Sequence, residues 1–224
     1  MKLNGRSIYV RTVTTLESTQ TSPRPQAVRR RTRRHAATSA DTRIDILKSA
    51  AKAFRRRGYH GATVEQIAAA LHMKKGNLYY YYRSKEEILF ACHQYSLDRL
   101  LQILDDVQQS GLAPPRKLRA IIVAVVHTIL DELHGTALIL EFEALSPAHL
   151  KTVVARRDRV DRGIRRVIEE GIADGSFAPH DVKLRSFALL GAVNWIPRWF
   201  DPAGPATSGE IADRFADYLI AGLR

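Results

Sequence analysis

Lys74-Lys75-Gly76-Asn77-Leu78 runs directly into four consecutive tyrosines, Tyr79 to Tyr82. Ammonium, carboxamide and phenol groups this close together are the groups that contact nucleic acid. Lys75 suits guanine O6 and N7, Asn77 suits adenine, and Gly76 lets a backbone approach closely. Phenol hydroxyls donate to phosphate oxygens. An aromatic core patch would be the ordinary use of four tyrosines, but consecutive helical residues point in different directions, so one helix cannot bury them all. Leu78 and Tyr82, one turn apart, share the inward face. Tyr79 and Tyr81 lie off it, and Lys74, Lys75, Gly76, Asn77 and Tyr80 occupy the leading end.

Such a segment needs elements to hold it. Asp41 or Thr42 can cap a helix whose Ile44, Leu47, Ala51 and Phe54 fall on one face and which Gly58 stops. Thr63-Val64-Glu65-Gln66 fits a capping box, opening a short helix with Val64, Ile67, Ala68 and Leu71 buried. The next helix runs from about Lys75 to Tyr82. Ser84-Lys85-Glu86-Glu87 fits another capping box and starts a long helix whose apolar stripe includes Ile88, Leu89, Cys92, Tyr95 and Leu100. Two short helices joined by a brief turn behind a supporting helix make a helix-turn-helix. Thr63, at a helix N-terminus, and Lys85, at the start of the long helix, stand where phosphates would be met.

Thr63-Val64-Glu65-Gln66-Ile67-Ala68, Lys75-Gly76-Asn77-Leu78-Tyr79 and Ser84-Lys85-Glu86-Glu87-Ile88-Leu89, taken together, resemble the DNA-binding domain of the TetR family of bacterial repressors. The resemblance covers about residues 41–90. It implies an all-α chain with a helix-turn-helix at 41–88 and a ligand-binding and dimerisation domain at 89–224. It implies a homodimer that binds a palindromic double-stranded DNA operator and responds to a small molecule. Thr63, Lys74, Lys75, Gly76, Asn77, Tyr79, Tyr80, Tyr81 and Lys85 are the candidate DNA contacts. Two positions depart from the family pattern. His72 stands where the turn usually carries glycine, and Lys74 where a serine or threonine usually caps the recognition helix.

Charge agrees with this division. The net charge is +12, of which residues 1–40 carry +8, residues 41–90 carry +5 and residues 91–224 carry −1. Residues 1–40, rich in Thr, Ser, Pro and Arg, read as a disordered basic arm, either a solvated tail or a segment that lies on DNA.

Beyond Pro114-Pro115, which end the long helix, further helices are expected at about 116–133, 136–145, 147–172, 181–200 and 208–222. By the resemblance, the helices at 147–172 and 181–200 would build a four-helix dimer interface. Val153, Val160, Ile164, Val167 and Ile168 in one, and Leu184, Phe187, Leu190, Gly191 and Trp195 in the other, serve that interface or the intrachain core. The stretch from Asn194 to Pro205 resembles a TetR subgroup that often regulates fatty-acid or steroid degradation and leaves DNA on binding an acyl-CoA. Pro197 departs from it and should kink or end its helix. Candidate ligand contacts are His127, Glu141, Phe142, Trp195, Arg198 and Trp199. Each has an ordinary alternative: core packing for the tryptophans, stacking on them for Arg198, a bonded core position for His127. One of Glu141 and Glu143 is expected to face inward. The arginines at 156, 157, 159, 162, 165 and 166 read as a solvated face with Asp158–Arg162 and Asp161–Arg165 pairs, or else as an anionic coenzyme A site. A cationic or aromatic effector, as in efflux regulators, remains the alternative ligand. A buried Glu141 or Glu143 would favour it, and a basic pocket mouth would favour coenzyme A.

Other classes find little support. No phosphate loop, HExxH, GxSxG or metal cluster is present in the sequence, so neither an enzyme nor a metal or other cofactor is expected. One cysteine, Cys92, permits no intrachain disulfide. No apolar run approaches the ~18 residues of a membrane span, and the N-terminus has no secretory apolar core. A cytoplasmic protein with no membrane partner is the expectation.

Overall fold

The computed structural model describes the backbone of residues 26–132 and 142–223, and side chains at 39–130 and 142–223. Every regular element among them is a helix. Helix α1 spans Gln26–Gly61. It begins well upstream of the expected start at 41, because Pro25 is the last helix breaker and the following stretch is rich in Arg and Ala, good helix formers. Residues 1–25 of the proposed arm lie outside the described residues. Ile46, Leu47, Ala50, Ala51 and Phe54 form the buried face of α1, and Gly58, at φ 68°, breaks its regular course.

Helix α2 (Val64–Ala69) and helix α3 (Lys75–Tyr81) follow. Thr63 and Gln66 make the reciprocal capping box at α2. At its other end, Met73 N–H donates to the Ala68 carbonyl (2.9 Å) and His72 N–H to that of Ala69 (3.0 Å). This is the Schellman closure, and it puts its penultimate residue in the left-handed region. His72 takes that conformation at φ 53°. Lacking glycine's freedom, it does so at a cost of ~1–2 kcal/mol.

Helix α4 (Lys85–Gln109) is capped by the Ser84 hydroxyl, which accepts from Glu87 N–H at 3.0 Å. The box is not closed reciprocally, since the Glu87 carboxylate accepts from Arg83 N–H instead. The chain leaves α4 through Gly111, at φ 66°, and Pro114 and Pro115 open helix α5 (Pro114–His127) rather than end α4. A proline in the first turn loses no helical hydrogen bond. A π-helical turn, Thr128–Glu132, continues α5. Most of the helix expected at 136–145 lies outside the described residues, and its end is a 3₁₀ turn, Phe142–Ala144.

Helix α6 (Pro147–Ala173) has Ser146 as cap and proline at its first position. Its stripe Val153, Val160, Ile164, Val167 and Ile168 is buried within this chain, so α6 supplies core there rather than a free face. Helix α7 (Val182–Trp195) ends where Pro197 forces a 3₁₀ turn, Ile196–Arg198, and helix α8 (Ser208–Ala221) closes the described chain.

Helix α4 packs on α5 and α6, and α5 packs on α8. Arg119 of α5 joins α8 through Asp213 (2.8 Å) and Asp217. Ala40–Arg224 forms one compact unit, and α4 runs on from the helix-turn-helix to pack against α5 and α6. No described helix is long and apolar enough to cross a membrane.

Candidate nucleic-acid interface and effector site

Helix α3 is held by two side chains. Leu78 is fully buried and Tyr82 nearly so, and Arg43 of α1 covers the Tyr82 ring (5.5 Å) and donates to the Tyr81 carbonyl (3.2 Å). The opposite face is open. Lys74, Lys75, Gly76, Asn77, Tyr79 and Tyr80 are exposed, and Tyr81 is half-buried with its ring against Tyr80. A Cβ added at Gly76 would meet nothing within 4 Å. Lys74 holds the cap position with extended backbone and no side-chain cap bond, which leaves its ammonium outward. Thr63 is exposed at the start of α2, its hydroxyl engaged in the cap.

Two of the cations are already engaged. Lys75 pairs with Glu65 across α2 and α3. Their hydrogen bond holds the Glu65 carboxyl below its ordinary value and the Lys75 ammonium above its own. DNA must therefore compete with Glu65 for Lys75. Lys85 points inward. Its ammonium donates to the carbonyls of Tyr59 (2.7 Å), Ala62 (2.9 Å) and His60 (3.4 Å) and lies over the Tyr59 ring. Three acceptors use all three ammonium protons. Without DNA, then, Lys85 does not stand out toward phosphate as expected but ties the start of α4 to the end of α1.

In the body of the molecule, a groove of about 660 Å³ runs between α6 and α7, bordered by Arg157, Arg162, Arg165 and Lys183, by Asp158 and Asp161, and by Phe187, Gly191 and Asn194 among others. A space of about 40 Å³ lies among Leu97, Leu100, Val125, Val160 and Leu190, and Arg157, Leu190 and Asn194 border both. Arg157 lies over the Phe142 ring at 4.6 Å, and burial pushes its guanidinium below its ordinary value. Arg165 pairs with Asp161 as expected. Arg156 instead turns to Asp98 and Gln94 of α4.

The chain matches the model "Bacterial regulatory proteins, tetR family" over residues 46–92 and the model "Tetracyclin repressor-like, C-terminal domain" over residues 111–223. The chain belongs to the TetR family. The transcriptional repressor KstR2 of Rhodococcus jostii is 30% identical over 186 residues, covering 81% of this chain and 90% of that protein. The structure of the TetR family regulator PfmR from Thermus thermophilus is similar at a TM-score of 0.72 and 32% identity, covering 80% of this chain and 98% of that one. A structure of AibR with isovaleryl coenzyme A and operator DNA gives 0.69 and 29%, covering 81% and 97%.

The described cavities of this TetR-family chain are lined by residues other than most of the expected ligand contacts. Trp195 and Trp199 are 64% and 49% exposed, in neither the core nor the described cavity walls. Arg198 lies over the Trp195 ring, and Trp199 stacks on Phe215 of α8. The turn at Pro197 breaks the helical register that would have aligned them. Of the other candidates, Phe142 reaches the site through Arg157, and His127 is half-buried at the end of α5 outside both cavity linings. Glu143 is exposed rather than inward, and Glu141 lies outside the described residues. Sequence reasoning passed over Lys183 and Asn194 and gave Arg157 only within the alternative anionic coenzyme A site. Arg157 had a signal: it falls on the apolar stripe of Val153, Val160 and Ile164, where a solvated arginine does not belong.

Proposed function

We propose that this repressor acts as a homodimer that reads a two-fold operator through the open face of α3 and is released by an acyl-coenzyme A. The observation that carries the reading is that face. Lys74, Gly76 and Asn77 stand free at the leading end, and Tyr80 is exposed further along, on a helix anchored from behind by Leu78 and Tyr82. Dimerisation would use α7, where Leu184, Phe187, Ala188, Gly191 and Trp195 share one exposed helical face. Nothing in the protomer comes within 4 Å of a Cβ at Gly191, so that position is open to a partner helix. This moves the expected interface from α6 and α7 to α7 alone; Tyr218 of α8 is a further exposed aromatic. The groove sets Arg157, Arg162, Arg165 and Lys183 against Asp158 and Asp161, an excess of cations that suits a ligand bearing phosphates, and it borders the α7 face at Phe187 and Gly191, so such a ligand would lie at the edge of the partner helix. The exposure of Glu143 removes one support for a cationic effector. No enzymatic step is proposed, and the site of action is the cytoplasm.

The test uses an operator selected from a random duplex pool. Retardation of that duplex should be abolished by members of an acyl-coenzyme A panel and be insensitive to an aromatic cation. Retardation unchanged across the whole panel would sink the effector half, and release by the cation alone would install the efflux reading.

A further inference from the structure

The start of α4 is bound on two sides. Lys85 fastens it to the end of α1, while its neighbour Glu86 reaches the other way, into the effector body. One Glu86 oxygen, Oε1, accepts from Ser146 N–H at 2.9 Å and meets His149 Nδ1 at 2.8 Å. The His149 ring lies flat on Phe90 of α4, with centroids 3.8 Å apart and planes 6° from parallel. Ser146 caps α6 by accepting from His149 N–H. The cluster is half-buried, and Glu86 is its one anionic member. Partial burial pushes the Glu86 carboxyl up, but the bonds from Ser146 and His149 outweigh it and hold the carboxyl below its ordinary value. Two turns further along α6, Arg156 grips Gln94 and Asp98 of α4, and Arg157 borders both the groove and the inner space. The helix that lines the effector site is therefore the helix whose first turn grips α4 beside the reading head.

We propose that Glu86 and His149 are the positioning pair through which occupancy of the site lined by α6 reaches α3. The proposal rests on the effector-released repressor reading above. Displacement of α6 moves its first turn, Glu86 carries the start of α4 with it, and Lys85 passes the movement to the helix-turn-helix. Neither residue borders the cavities or the exposed face of α3, so both can be altered without touching either ligand directly.

The deciding variant is His149→Phe in the full chain, which keeps a ring against Phe90 and removes the nitrogen. Amide hydrogen exchange of the DNA-free protein is read first. Exchange should quicken at 146–150 and also at 75–84, far along the chain from the substitution. A change confined to 146–150 marks a purely local cap and overturns the proposal. Release from the selected operator is read second, with a panel running from isovaleryl- to octanoyl-coenzyme A. The variant should bind the panel member active on wild type with unchanged affinity, while its effector-induced loss of operator affinity shrinks by roughly 5-fold or more, the scale of an ordinary allosteric coupling. Unchanged release overturns the proposal. If wild type binds no panel member, the effector reading fails by itself and the exchange measurement still decides the positioning pair. Glu86→Gln, which keeps an oxygen for the Ser146 N–H, repeats both measurements should the first variant fold poorly.

Discussion

On α3, Leu78 and Tyr82 are buried, and the outward positions carry Lys74, Lys75, Asn77 and Tyr80. On α7, Leu184, Phe187 and Trp195 are 65%, 50% and 64% exposed, while Ser186 on the other side is buried with its hydroxyl on Asp161. One helix turns polar groups outward and the other turns apolar groups outward. A single exposed apolar side chain on a surface is ordinary, but a stripe of them on one helical face costs solvation in an isolated protomer, even with cations over the Phe187 and Trp195 rings. The contrast says what each region lacks: α3 lacks a polyanion and α7 lacks a second apolar helix. The largest predicted effect follows from α7. Leu184→Arg combined with Trp195→Arg should leave a folded monomer by sedimentation. Its operator affinity should fall by roughly 100-fold or more, since one half-site must then hold alone. A persistent dimer would break the comparison at its root.

The reading face gives the next effect. Asn77→Ala and Tyr80→Ala should each weaken operator binding by about 10-fold, the scale of a lost base contact, while thermal midpoints stay put because both side chains are exposed. A midpoint that fell with either variant would show that α3 needs these residues for folding, and the two regions would no longer differ in kind. A smaller effect is expected at Glu65, which holds Lys75 in the DNA-free chain. Glu65→Gln should tighten operator binding by ~2–5-fold, the range that an exposed ion pair allows, as measured by anisotropy.

The reading end was more legible than the body because local rules determine it. Caps at Thr63 and Ser84, the left-handed turn at His72 and the inward pair Leu78 and Tyr82 all depend on neighbours within a few residues, and those neighbours are written in order. The effector site depends on which faces of α4, α5, α6 and α7 meet, and periodicity does not report that. Trp195 and Trp199 read as core or as pocket aromatics, yet Pro197 shifts the chain between them and the stripe on α7 faces outward. The α6 stripe was equally compatible with core or interface, and only packing against the other helices decides for core. Arg157 was the exception, a charge on an apolar stripe, and it lies where the cavity and the groove meet. Lys85 shows the converse limit. Its place in the motif suggested phosphate, and nothing in the local sequence revealed that the α1 carbonyls lie within reach.

Lys74 and Lys85 therefore make the sharpest pair on the DNA-reading end, since identical side chains are assigned opposite duties. Lys74 is exposed with no cap bond, so its ammonium is free to displace a counterion from phosphate. Lys74→Ala should leave stability unchanged and reduce the slope of log affinity against log salt by ~1. The Lys85 ammonium sits among the last carbonyls of α1, where a cation also meets the negative end of the helix dipole. Lys85→Met keeps the stem over Tyr59 and removes the charge. It should lower stability by about 1.5–3 kcal/mol, the worth of hydrogen bonds to a charged group, read from denaturant unfolding. The salt slope of the surviving folded protein should not change, because no phosphate contact is lost. The reverse outcome, a shallower slope at full stability, would mean that Lys85 leaves the carbonyls for DNA. The link between α1 and α4 would then be broken whenever the operator is bound.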